Sequence, residues 1–531
     1  MSREGSGLLG RDSELAMIEQ VAGRPMLLVV RAGSGAGKTA LLDEVRRSWA
    51  ARDVKSLHIQ FDDETPRWDR FGANAVVAAF RKSFTEFGDS RMATALAAVS
   101  QLCLPDTYRS ARARSGLFVE LVRLFGSLGQ DVPPVVVFDD LHAASDPGLA
   151  VTAARHAGCT VVAACREDAI AEPTSLTSLA DHVLDLEPLS DGQVDELVAN
   201  AVRAPLDQAV APAVRAALGC LRGNPGSVLS VLETLQRQGS LTAVLGVLCL
   251  AEPAEPIALP ADHELVRLVE LVPEVGPALV AVVATTERFR VDDLLAFSLA
   301  TGRDHGTCGR VTDLLVAGGA LGCDAQGALS ITCPALATAV LNAVGEGQVR
   351  DLHRALAEHL LRGDHSLPPE PAVVADHIAL AGAALPLDAA LVPLLCGEAA
   401  RVLLAKPALA ARWYRAALVH CRPQDPVRAR EMTSALLRLL VRIGRYDWLG
   451  EVVGEAVAAG VSDRERYELA VSATLAALHT GVPTPQAVRE ALAADPAGVA
   501  LLRFGDSWFD GREALRLDEV TAAFAPFRRG V

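Results

Sequence analysis

The sequence predicts an α/β domain on a parallel sheet, followed by a long helical region. Three observations lead there. Five short apolar runs alternate with helix-compatible stretches over the first 189 residues, and strands alternating with helices imply a parallel sheet covered on both faces. After Ser190 the strand signals thin out. Half of the residues are apolar but only 4% are aromatic, so the cores must be packed with Leu, Val and Ala, a composition that suits helices better than a β-sandwich.

The elements follow in order. Pro25 introduces Met26-Leu27-Leu28-Val29-Val30, which reads as a buried strand. A Gly/Ala loop comes next, then a helical stretch from Thr39 to Ala51. Ser56 to Phe61 reads as a second strand, and residues 63–130 as mainly helical. Val135 to Phe138, Thr160 to Cys165 and His182 to Leu186 complete the five strands. Residues 190–238 read as a small helical subdomain within a helical segment over 190–250, and Ala251 to Pro260, with three prolines, as a linker. Residues 260–345 read as helices ending in a hairpin around Asp324-Ala325-Gln326-Gly327, the pattern of a winged helix. From 350 to 531 the chain reads as helical hairpins. Ala411 to Leu418, Leu449 to Val457 and Gln486 to Leu492 recur at intervals of 36–40 residues, as in TPR-like repeats.

Composition limits the function classes. A net charge of −15 and a pI near 5.3 argue against a nucleic-acid binder that works through a basic field. Residues 260–345 hold five arginines, no lysine and ten acidic residues, so a DNA-gripping winged helix is not expected there. The ten cysteines include no C-x-x-C pair, which reads as free thiols in a reducing compartment. The first twelve residues lack an apolar signal core, and no uncharged apolar run reaches the length of a membrane span. A cytoplasmic protein without membrane contact is the expectation. His353 and His359, six apart, do not share a helix face, and they read as ordinary core or surface histidines rather than metal ligands.

The chemistry concentrates in one motif. Residues 32–39 read Ala-Gly-Ser-Gly-Ala-Gly-Lys-Thr between a strand and a helix, a P-loop with Ala32 in place of its first glycine. Glycine lets the backbone close round a phosphate, and amides at a helix N-terminus direct partial positive charge at it. The expected cradle is Gly33, Ser34, Gly35, Ala36, Gly37, Lys38, Thr39 and Ala40. Lys38 would reach the β- and γ-phosphates of ATP or ADP, and the Thr39 hydroxyl would ligate Mg²⁺. Lysine occurs at only four positions, 38, 55, 82 and 406, which makes a chance match improbable.

Val135 to Phe138 runs into Asp139-Asp140, the pattern of a Walker B strand. Asp139 would hold Mg²⁺ and Asp140 would position or deprotonate the attacking water. Arg166, after the fourth strand, is placed to sense the γ-phosphate. Gly223-Asn224-Pro225 would set Pro225 against the adenine.

In order, the chain carries Leu8-Leu9-Gly10-Arg11-Asp12-Ser13-Glu14-Leu15, the P-loop, the segment Val136 to His142, Arg166, Glu187-Pro188-Leu189-Ser190 and Gly223-Asn224-Pro225. Together with Asp351 to Glu358, this series resembles the STAND class of signalling ATPases, and in particular large ATP-binding regulators of the LuxR type related to the maltose-regulon activator. The likeness runs from residue 8 to about 420. It implies an AAA+/STAND-like P-loop domain over residues 1–189, then an all-α lid, a winged helix and TPR-like repeats. It adds Arg11 to the nucleotide contacts. It also implies slow hydrolysis, an inducer or partner protein on the repeats, and ATP-driven self-assembly. Ala143 stands where relatives have Trp, and Cys333 where they have His. Relatives end in a DNA-reading helix-turn-helix, and no such module precedes Val531, so direct sequence-specific DNA binding is not expected of this chain. Three other readings are a LuxR-type regulator acting with a separate or missing DNA-binding module, an origin-recognition-like AAA+ ATPase that binds DNA, and a nucleotide-binding scaffold that never hydrolyses.

Overall fold

The computed structural model describes residues 8–61, 72–87, 90–103, 111–129, 133–141, 148–166, 176–202, 204–253, 255–362, 369–461, 465–496 and 498–503. His142, Ala143 and Arg528-Arg529 lie outside them. The chain divides into two compact units, residues 1–263 with 333–338, and residues 264–332 with 339–531.

The first unit opens with helix α1 (Asp12–Val21), strand β1 (Leu27–Arg31), α2 (Lys38–Ala51) and β2 (Ser56–Gln60). Three helices follow, α3 (Ala73–Phe87), α4 (Ser90–Leu102) and α5 (Ala111–Gly126). Then come β3 (Val135–Asp139), α6 (Gly148–His156), β4 (Thr160–Cys165), the short α7 (Leu176–Leu179) and β5 (His182–Asp185). The five strands form one parallel sheet in the order β2-β3-β4-β1-β5. Side chains alternate along each strand, so the sheet builds two cores. Leu27, Val29, Val136, Phe138, Val161 and Ala163 face α3 to α6. Leu28, Val30, Val135, Val137, Val162 and Ala164 face α1 and α2, with Trp49 fully buried among them. Four phenylalanines meet on the first face, where Phe61 stacks on Phe138, Phe138 meets Phe125 edge-on and Phe125 meets Phe80 edge-on.

Helices α8 (Asp191–Val202), α9 (Val210–Leu218) and α10 (Pro225–Arg237) come next. The all-helical expectation for residues 190–250 needs correction at its end. Strands β6 (Leu241–Val244) and β7 (Val247–Leu250) pair there as an antiparallel hairpin. The turn residues Leu245 and Gly246 both have positive φ, 52° and 82°. Such turns favour Asn-Gly or Asp-Gly, and a Leu-Gly pair among aliphatic residues gives no such signal.

The second unit begins with α11 (Glu264–Glu270), α12 (Gly276–Thr285), β8 (Phe289–Arg290), α13 (Leu294–Thr301) and α14 (His305–Ala317). Strands β9 (Leu321–Cys323) and β10 (Ala328–Ile331) form the hairpin expected at Asp324–Gly327, and β8 adds a third strand in the order β8-β10-β9. The two-residue β8 is too short to leave an alternating pattern. After α15 (Pro334–Val344) the chain is helical: α16 (Glu346–Leu361), α17 (Pro371–Ala381), α18 (Val392–Val402), α19 (Pro407–Cys421), α20 (Pro426–Ile443), α21 (Tyr446–Ala458), α22 (Arg466–Thr480) and α23 (Gln486–Leu492). Proline at the first turn and an Asp425 side chain that accepts from Arg428 N start α20, and Gly444 in the left-handed conformation ends it. One continuous Leu/Val/Ala core runs from α16 to α23.

A buried polar cluster ties four of these helices together. His353 on α16 and His377 on α17 are 0% and 2% exposed, and their Nδ1 atoms lie 2.9 Å apart. His353 Nε2 is 2.8 Å from the Thr285 hydroxyl of α12. Beside them Asp376 accepts hydrogen bonds from Arg412 (2.7 Å) and the Trp413 indole (3.0 Å), both on α19. His353 is thus a core histidine bonded to its neighbours. All ten cysteines are free. Among the described residues no helix is long and apolar enough to cross a membrane.

Candidate functional site

The P-loop lies where β1, an inner strand between β4 and β5, ends and α2 begins. Gly35 and Gly37 have φ of 69° and 93°, which only glycine adopts without strain, and Gly37 is the residue before α2. The Lys38 side chain is buried, and its ammonium donates to Ala32 O at 3.0 Å and Gly33 O at 2.7 Å. An ammonium has three hydrogens, so the loop's own carbonyls fix Lys38 in place and leave one donor for a phosphate oxygen. Burial holds its pKa below the ordinary lysine value, and the neighbouring Arg166 guanidinium adds to that effect.

Strand β3 is the neighbour of β4, and it ends at Asp139, which is completely buried. One carboxylate oxygen accepts from the Asp140 amide at 3.0 Å. The other, Oδ2, is buried and finds no hydrogen-bond partner among the described residues. Burial raises the Asp139 pKa, the adjacent Asp140 raises it further, and the Thr39 hydroxyl beside it pulls the other way. A buried carboxylate oxygen without a partner is costly, and a hard cation would remove that cost. Thr39 and Asp139 are oxygen donors of the kind Mg²⁺ takes, so the residues fit this ion. No group of three His, Cys, Asp or Glu side chains able to hold a metal occurs among the described residues. Phosphate and water would have to complete the shell, as is usual for Mg²⁺.

Asp140 adopts φ of +53°, sparsely populated for any residue but glycine, Asn or Asp. Its carboxylate accepts a hydrogen bond from Gln60 Nε2 at 2.8 Å, at the C-terminal end of the adjacent strand β2. Gln60 was not legible as a site residue, because only the sheet order places the end of β2 beside the end of β3.

Asn224 is a second unforeseen participant. Its Oδ1 accepts from Ser227 N at 3.0 Å and caps α10, while its Nδ2 donates to Ser34 O of the P-loop at 2.7 Å. Gly226 N donates to Gly35 O at 2.9 Å. A Cβ on Gly226 would stand 2.7 Å from Gly35 Cα, so backbone meets backbone at this joint. The other motif segments connect as well. Arg11, buried, donates to Glu187 O at 2.7 Å, and Leu189 N donates to Gly223 O at 2.8 Å.

Two cavities flank the loop. One of about 340 Å³ brings together Gly35, Gly37, Lys38, Thr39, Ala40, Asp140, Arg166 and Pro225. The other, about 380 Å³, is lined by Arg11, Gly33, Ala36, Glu187, Gly223 and Asn224. Ser34 borders the first cavity. Pro225 therefore stands with Lys38, Asp140 and Arg166, and Arg11 stands on the opposite side with Gly223. Asp139 is close enough to Lys38 and Asp140 to feel their charges.

Residues 7–156 match the AAA ATPase domain. The chain thus carries an AAA-type ATPase domain, and such domains bind nucleotide, usually with Mg²⁺. No curated protein matches the chain. Among solved structures it is similar to the Walker-type ATPase PABY2304 of Pyrococcus abyssi, at 16% identity and a TM-score of 0.40, over 63% of this chain and 96% of that one. It is also similar to the ORC2 protein of Aeropyrum pernix, described in ADPNP-ADP complexes, at 11% identity and a TM-score of 0.41, over 68% of this chain and 98% of that one. Likenesses this distant carry no argument about what the chain does.

Proposed function

We propose that this chain is a STAND-type switch that binds Mg-ATP, hydrolyses it slowly and signals through protein contacts in transcription regulation. The observation that carries the reading is the direct bonding of the α10 N-terminus to the P-loop, through Asn224 to Ser34 O and Gly226 to Gly35 O. A lid joined to the phosphate loop couples nucleotide state to the rest of the chain. In this reading residues 1–189 bind nucleotide, 190–250 form the lid, 260–345 the winged helix and 350–531 TPR-like sensor repeats, in a cytoplasmic protein. Residues Gly33 to Ala40 cradle the phosphates, with Arg11 and Pro225 in the nucleotide site. Thr39 and Asp139 hold Mg²⁺, Asp140 activates water, and Arg166 reads the γ-phosphate.

Signalling through protein contacts gains support from α13. Leu295 and Leu299, four residues apart on this helix, are 53% and 59% exposed, and Val291, in the turn that precedes it, is 43% exposed. An apolar stripe of this kind suits a protein surface better than a phosphate backbone. The test is to compare the chain with ATP, with ADP and without nucleotide, by light scattering and phosphate release. ATP-specific assembly with turnover well below one per second supports the switch. Rapid turnover without any nucleotide-dependent change in size or shape refutes it.

A further inference from the structure

The β6–β7 hairpin has one covered edge and one open edge. Its strands pair with Leu241 opposite Leu250 and Val244 opposite Val247. Ala251 N donates to Ser240 O at 2.9 Å, so these two residues form a hydrogen-bonded pair. Bonded and non-bonded pairs alternate along an antiparallel ladder. Thr242 with Cys249 and Val244 with Val247 are therefore bonded pairs, and the N–H and C=O groups of Leu241, Ala243 and Leu248 point outward. On the β7 side that edge is occupied, because Leu248 N donates to Pro205 O and Leu248 O accepts from Asp207 N, both at 2.8 Å. On the β6 side the backbone groups of Leu241 and Ala243 bond no other segment among the described residues.

Nothing in the composition guards this open edge. Edge strands are ordinarily protected by charge, proline or a covering element. No residue from Gln238 to Ala251 is charged, and none is proline. Thr242, Ala243 and Val244 are exposed. Leu245 at the tip is fully exposed, in a left-handed conformation that favours Asn or Gly.

We propose that β6 pairs antiparallel with β6 of a second copy of this chain. The outward groups select that partner. Leu241 and Ala243 lie symmetrically about Thr242, so a two-fold axis through Thr242 sets Leu241 of each copy opposite Ala243 of the other. Every outward N–H and C=O of the strand then finds its complement. A register shifted by two residues leaves either Leu241 or Ala243 outside the paired strands. The same axis sets the exposed Val244 opposite Ser240, which is small and uncharged. Area limits the role. A strand of four residues buries far less than the roughly 1,200 Å² of a stable interface, so the pairing is one contact within a larger assembly. The pairing stands on the hairpin's own geometry, while its use in ATP-driven assembly rests on the function proposed above.

Disulfide trapping of the full chain tests the register. In a Cys249→Ser background, Thr242→Cys sets the thiols of two copies across the axis in a non-hydrogen-bonded pair. Their Cα atoms would be about 4.5 Å apart, within the span of a disulfide. Val244→Cys, exposed on the same strand face, is the control, because the axis holds its two thiols roughly 14 Å apart. With diamide as oxidant, Thr242→Cys should form the symmetric disulfide at least about tenfold faster than Val244→Cys, with the linkage identified by peptide mass spectrometry. Ala243→Pro removes an outward donor that the hairpin does not use, and proline is tolerated on an edge strand. It should keep the thermal unfolding midpoint and reduce ATP-driven assembly in light scattering. Equal trapping rates for the two thiols overturn the proposal, as does ATP-driven assembly that Ala243→Pro leaves intact. If Ala243→Pro lowers the unfolding midpoint, the trapping comparison decides alone. Selective trapping at Thr242 that is the same with ATP, with ADP and without nucleotide keeps the pairing and removes its ATP dependence. Assembly with ATP but without selective trapping keeps the switch and removes the pairing.

Discussion

Acidification should destabilise the second unit through the His353–His377 pair, by an amount that follows from the geometry. Burial holds His353 down to about 3, with His377 and Arg412 adding to the effect, and burial alone holds His377 down to about 4, against an ordinary value of 6.5. The Asp376 carboxylate beside them is already paired with Arg412, so it does not serve as the counterion of an imidazolium. A histidine with a depressed folded pKa contributes stability that is fully present above the unfolded value and is lost as pH falls below it. The window therefore opens at about 6.5 and closes only near 3 to 4. At about pH 5.5 an unfolded histidine is roughly nine-tenths protonated, and the unfolded chain gains about 1.4 kcal/mol per histidine, so about 2.8 kcal/mol for the pair. This magnitude is insensitive to the folded values as long as both lie below about 5. Carboxylates contribute little, because most ionise below this range. His58 and His420 are also lowered by burial and act in the same direction. The pair is isolated by comparing the natural chain with His353→Gln/His377→Gln in urea titrations at about pH 7.5 and about pH 5.5. The double variant should lose about 2.8 kcal/mol of the pH-dependent difference. If both proteins show the same loss on acidification, the imidazoles are not neutral and buried as described.

The nucleotide site yields further expectations. Lys38→Ala should keep the fold but lose most of the stabilisation by Mg-ATP, which for the natural chain is about 2.7 kcal/mol at roughly 100 times the dissociation constant; an equal thermal shift in the variant would falsify the role of Lys38. Asp139→Asn should weaken the Mg²⁺ dependence of nucleotide binding, whereas Asp140→Asn should keep ATP bound and slow phosphate release. Normal release in both variants would reduce the acidic pair to a turn. Gln60→Ala removes the 2.8 Å bond to the Asp140 carboxylate and should raise turnover up to about tenfold at unchanged ATP affinity; a shift in affinity alone would mean that Gln60 merely supports the fold. Sequence-selective binding to promoter DNA at physiological salt, with ATP or ADP, is not expected, and its detection by anisotropy would restore the DNA-gripping reading.

The sheet was legible because parallel strands buried on both faces read as near-continuous apolar runs, as in the first four residues of Leu27–Arg31 and the last five of Thr160–Cys165. The P-loop was legible because its glycines, Lys38 and Thr39 are contiguous. The rest depends on contacts between distant segments. Gln60 reaches Asp140 across 80 residues and Asn224 reaches Ser34 across 190, and no local pattern marks either. The hairpin at Leu241–Leu250 was hidden by an aliphatic composition that reads equally as helix. The pairing of His353 with His377 was obscured because the eye compares histidines on one helix, whereas the partner sits on the next.

The joint between the P-loop and α10 sets up a reciprocal economy of affinity. In the proposed switch, two hydrogen bonds at about 1 kcal/mol each bias docking of the proposed lid by about 2 kcal/mol, roughly thirtyfold. Any nucleotide that favours the loop geometry offered to Asn224 and Gly226 also favours the docked lid, and the docked lid returns the same factor to the nucleotide. On that proposal, a partner that draws α10 away would weaken nucleotide binding without touching the nucleotide. It would work as an exchange factor, and its leverage would be bounded by the two bonds from Ser34 and Gly35.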